Sequence, residues 1–100
     1  MTMQASDPLG LVEFAVLDAV HRGALRSRRT AHRIPYLRDQ PAGEVILHQA
    51  LHRCERDGLL SSVRDSAGRL YRLTAAGRVR LRSERRFRAA LVRALLRTYG

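Results

Sequence analysis

The sequence predicts a mainly α domain with one small β-hairpin. Three observations point there. Apolar residues recur at three- and four-residue intervals across 9–22, 42–57 and 75–98, the spacing of a helix face. Two short β-prone runs flank Asp65-Ser66-Ala67-Gly68. A length of 100 residues limits the chain to one domain with a modest core.

Residues 1–8 are polar and expected to be a flexible terminus. The first helix is predicted from Leu9 to Arg22. Leu11, Phe14, Ala15 and Leu17 recur among Val12, Val16 and Val20, and Gly23 follows, where helices often stop. The stretch RSRRTAHRIPYLRDQP is less regular. A short helix from Ser27 to Arg33 fits it, with Ser27 as N-cap, and a second turn can open at Pro35. From Ala42 to Asp57 the helical period returns. Ile46 or Leu47, Ala50, Leu51 and Cys54 form one face, with Glu44, His48, Gln49, His52, Arg53 and Arg56 on the other. Asp57-Gly58 ends it.

Leu60 to Arg64 and Arg69 to Leu73 read as the two strands of a hairpin. Tyr71 and Leu73 share a face, while the first run alternates poorly. Thr74 is placed to cap a last helix from Ala75 to about Thr98. Its apolar stripe is Val79, Phe87, Leu91, Ala94 and Leu95, widened by Leu81, Val92 and Leu96. A small domain cannot cover so long a stripe alone, so Phe87, Leu91, Ala94 and Leu95 are expected to pack on a second copy. Helix, short helix, helix, hairpin, long helix is the order of a winged helix-turn-helix (9–74) with a C-terminal dimerisation helix (75–100).

Charge is the one unusual compositional feature. The chain has 19 basic residues, all Arg, against 9 acidic, a net +10. Arg presents a fixed fork of donors to phosphate and guanine, so the excess points to nucleic acid. A GC-rich gene also favours Arg over Lys, but that explains the missing Lys better than the two-to-one excess. One cysteine, Cys54, allows no intramolecular disulfide. No secretory leader pattern or membrane-length apolar run is present, so a cytoplasmic protein is expected.

Two stretches, LHQALHRCERDGLL and GRLYRLTAAGRVRL, resemble the PadR-like transcriptional regulators. Leu51, Glu55, Gly58 and Leu59 match the end of that family's recognition helix. Tyr71, Leu73, Thr74, Gly77 and Leu81 match its second wing strand and the join to its last helix. The anchors cover about the middle third of the chain. Three positions depart from the pattern: Cys54 stands for a Leu, His48 for a Tyr, and Ser27-Arg28 for a Gly-Tyr pair. The resemblance implies a homodimeric repressor that releases DNA when a small-molecule effector, frequently aromatic, binds near the dimer interface.

On this reading His48, Gln49, His52 and Arg53 face DNA bases in the major groove. Arg64 and Arg69 flank the wing tip, which lies on the backbone or in the minor groove. Arg28, Arg29 and Arg33 grip phosphate from the short second helix. The bland reading of each is a solvated polar surface, and for a polar helix face taken alone it is the better one. His48 and His52 have a bidentate metal spacing but no third ligand, so no metal or cofactor is expected. Cys54 reads as a small buried hydrophobe. No phosphate loop, nucleophile–base pair or carboxylate pair points to an enzyme. Two other functions fit the same residues: a winged-helix module docking an acidic protein, and a non-specific basic nucleic-acid binder.

Overall fold

The computed structural model describes residues 9–23, Arg26, Ile34 and residues 39–99. The expected short helix at 27–33, the turn at Pro35, and Arg28, Arg29 and Arg33 lie outside the described residues. Among the described residues the elements are α1 (Leu11–His21), α2 (Gly43–Arg56), β1 (Leu60–Asp65), β2 (Gly68–Leu73) and α3 (Ala75–Tyr99).

α1 begins two residues later than its apolar pattern, because Leu9 is pinned outside it. The Leu9 N–H donates to Glu84 Oε1 at 3.0 Å, and its carbonyl accepts from Arg88 Nη2 at 3.2 Å. α1 then packs against α2, β2 and α3. Val16, Leu17, Ala19 and Val20 are buried there with Leu47, Ala50, Leu51 and Cys54 of α2. The predicted face of α2 is thus the core face, and Leu47 rather than Ile46 is its fully buried member.

The hairpin pairs Leu60 with Leu73 and Asp65 with Gly68, in antiparallel register. Both strands run one residue closer to the turn than expected, leaving only Ser66 and Ala67 between them. Asp65 Oδ1 accepts from the Ala67 N–H at 2.9 Å, and Gly68 takes φ +115°, a conformation costly for residues with a Cβ. Leu60, Tyr71 and Leu73 face the core. Val63 points away, and that exposed apolar residue is why the first run alternated poorly.

Thr74 caps α3 as expected. Its Oγ1 accepts from the Gly77 N–H at 2.9 Å and donates to the Gly58 carbonyl at 2.6 Å. One residue therefore ties the start of α3 to the end of α2. The stripe read for α3 needs one correction. Val79 is 63% exposed, while Leu81 is 2% exposed and is the core residue. Val79 sits about a quarter-turn from the line through Phe87 and Leu91, outside the side that meets α1. Beyond Arg88 the helix leaves the core, and the molecule measures 51 × 29 × 29 Å. No helix among the described residues is long and apolar enough to cross a membrane.

Candidate nucleic-acid interface

The outer face of α2 and the hairpin share one open groove. It has a volume of about 550 Å³ and is lined by His48, His52, Glu55, Arg56, Arg69 and Tyr71. His48 and His52 stand one helical turn apart because α2 turns its apolar face to α1. Both are exposed, as is Gln49, and none of the three side chains has a hydrogen-bond partner among the described residues.

Arg53 behaves differently. Its Nε donates to Glu13 Oε1 of α1 at 2.7 Å, and its Nη2 also pairs with Glu13. Of the four α2 residues singled out, it alone is held by the scaffold. The link locks the orientation of α2 on α1 and leaves part of the guanidinium exposed. Nothing local to α2 announces Glu13, which lies 40 positions away.

Arg64 and Arg69 pair directly across the hairpin. Arg64 is exposed and has no ion-pair partner among the described residues. Arg69 is drawn inward: its Nη1 donates to Ser62 Oγ at 2.8 Å, and Ser62 Oγ donates to Glu55 Oε1 at 2.9 Å. This chain joins the wing to the end of α2 and closes one wall of the groove. Burial raises the Tyr71 phenol above its ordinary pKa, so it stays neutral there. At the tip, Arg26 donates to both carboxylate oxygens of Asp65, at 3.0 and 2.7 Å. That pair holds the Asp65 carboxyl below the usual carboxylate range. Asp65 was legible as a turn residue; its second partner, 39 positions away, was not.

His48 and His52 share the groove with Glu55, but no three His, Cys, Asp or Glu among the described residues form a metal-holding group. Cys54 is buried under α2. Burial, together with the charges of Glu13 and Asp57, pushes its thiol up to about 12.

No protein-family model matches the chain, and no curated protein matches it. Two solved structures are similar. A PadR family transcription regulator from hypervirulent Clostridium difficile R20291 superposes with a TM-score of 0.75 at 20% identity, over 91% of this chain and 100% of that one. The PcaV transcriptional regulator from Streptomyces coelicolor, solved with its natural ligand, gives 0.73 at 25% identity, over 93% of this chain and 64% of its own. The chain therefore has the winged-helix fold of transcription regulators, with a long C-terminal helix. The PadR-like resemblance read from two short stretches extends to the fold as a whole.

Proposed function

We infer that the chain is a DNA-binding transcription regulator. It acts as a homodimeric repressor on a palindromic operator, with α2 in the major groove and the hairpin on the adjacent backbone. One observation supports this above the rest: the three unengaged polar side chains of α2, His48, Gln49 and His52, stand together beside a basic wing. In the major groove Gln49 can pair with adenine. Arg53, held by Glu13, sets the angle of the helix and offers its remaining donors to guanine or phosphate. Arg64 contacts the backbone at the wing, Arg69 orients the wing, and Arg28 and Arg29 add phosphate contacts. The second copy packs on Phe87, Leu91, Ala94 and Leu95. A small-molecule effector belongs to the same reading; the Streptomyces coelicolor regulator was solved with its natural ligand.

Selection of bound duplexes from a random DNA pool tests this. The expected winner is a two-fold symmetric motif with half-sites about one helical turn apart. Gln49→Ala should relax the preference at one or two base pairs per half-site. A pool with no enriched motif would refute specific reading by α2.

A further inference from the structure

The charge of this chain is concentrated in one element. Residues 1–74 hold 11 Arg and 8 acidic residues, a net +3. Residues 75–99 hold 8 Arg and a single acidic residue, Glu84, a net +7. A codon bias toward Arg acts along the whole gene. It does not leave one segment near balance and strip the next of acid.

The arginines of α3 fall into two sets. Arg80, Arg85 and Arg88 are half-buried and engaged, the first and last with Glu84 and the middle one with Asp18. Arg78, Arg82, Arg86, Arg93 and Arg97 are exposed, and none of their side chains has a hydrogen-bond or ion-pair partner among the described residues. At about 100° per residue these five lie within an arc of roughly 100°, on the side of the helix away from Phe87, Leu91, Ala94 and Leu95. They make a ridge about 28 Å long. Like charges four apart destabilise an isolated helix, so folding gains nothing from this arrangement.

We propose that the ridge is a second, sequence-independent docking surface for the phosphate backbone of duplex DNA, separate from α2 and the hairpin. Its charge is of one sign, and each guanidinium can take a phosphate through a bidentate fork. Its length covers most of a B-DNA turn of about 34 Å. Among the ridge arginines lies Ala89, with Ala90, Val79 and Leu96 at the edges. An acidic protein partner would need aromatic or large apolar anchors there. A phosphate backbone needs none. The ridge also stays open when a second copy covers the apolar side, so a dimer would present two.

The test is binding of the full chain to a 30-base-pair duplex of random sequence across a salt series. Three proteins are compared: the parent, the variant R78Q/R82Q/R86Q/R93Q/R97Q, and the α2 variant H48A/Q49A/H52A. The ridge variant should lose at least ~30-fold in low-salt affinity. Its salt slope should become shallower by about 0.9 for each phosphate no longer neutralised. The α2 variant, which removes the proposed base-reading side chains, should instead lose the motif enriched from the random pool. R93Q/R97Q, altered only beyond the core-facing part of α3, gives the same readout if the fivefold variant fails to fold; its slope should fall by about 1.8. Replacing all five by Lys should retain the slope. An unchanged slope in both Gln variants overturns the proposal, even if the random pool yields a motif. Displacement of the duplex by polyglutamate at equal charge concentration also overturns it, in favour of an acidic protein. Failure of the operator reading shows separately, as a pool without a motif from a protein whose ridge slope is intact.

Discussion

A Cβ at Gly77 would overlap the carbonyl oxygen of Leu59 and stand 3.2 Å from Leu73 Cδ2. Alanine normally stabilises a helix over glycine by about 1 kcal/mol. Here the close approach of α3 to the end of α2 reverses the sign. Gly77→Ala should destabilise the fold by about 2 kcal/mol, read as a lower urea midpoint at unchanged slope. A midpoint at or above the parent's would mean that the join is looser than described. Cys54 is the other residue whose surroundings decide its chemistry. With its thiol pushed up to about 12, almost no thiolate exists at pH 8. Iodoacetamide should alkylate the native chain at least ~100-fold more slowly than the urea-unfolded chain. Rapid native labelling would reopen a redox role.

Among the elements, α1 is the hub, and ion pairs set how the other helices sit on it. Glu13 holds Arg53 of α2, and Asp18 holds Arg85 of α3 as well as Arg22 at the end of its own helix. Glu84 of α3, 5% exposed, gathers Arg80, Arg88 and the Leu9 N–H, while Arg88 also lies 4.1 Å from the centre of the Phe14 ring. Burial alone would raise the Asp18 carboxyl, but its hydrogen bonds to Arg85 and Arg22 outweigh it and lower it below the ordinary value. The folded pKa therefore lies beneath the unfolded value of about 4. The stabilisation is complete above that value and lost as pH falls through the folded one. Asp18→Asn should lower stability by about 1 kcal/mol at pH 7. The gap between variant and parent should close in acid melts as the pH falls well below the unfolded value; a gap that persists there would trace the loss to packing instead.

At the scale of the whole molecule, the second half of α3 carries an apolar stripe open to solvent. Phe87, Leu91 and Leu95 are each about half exposed, beside Val92 and Leu96. Water on so continuous a stripe is unfavourable, at roughly 25 cal/mol per Å² of apolar surface. In the proposed dimer a second copy would cover it and space two α2 helices for one operator. Leu91→Asp with Leu95→Asp should convert the chain to a monomer by light scattering while leaving its helical circular dichroism near the parent's. It should also weaken operator binding by at least ~100-fold. A monomeric parent would remove the premise.

The sequence by itself determined the elements. Helical period placed α1, α2 and α3, Asp65 to Gly68 placed the turn, and Thr74 placed the cap, because each is a local matter of backbone geometry and nearest neighbours. It also picked out His48, Gln49 and His52, since a helix that buries one face must present the other. What only the tertiary structure decided was which charges remain available. Arg53 and Arg69 looked equivalent to Arg64 in the chain, but Glu13 and Ser62 engage them through contacts between separate elements. Val79 looked like a stripe residue until the side of α3 that meets α1 was known. The charge excess was visible as a total; Arg80 and Arg88 meet Glu84 one turn away on α3 itself, but the engagement of Arg85 by Asp18 depended on where α1 lies. Local periodicity is written in neighbouring residues; ion pairing between elements is set by distance in space, which neighbours along the chain do not encode.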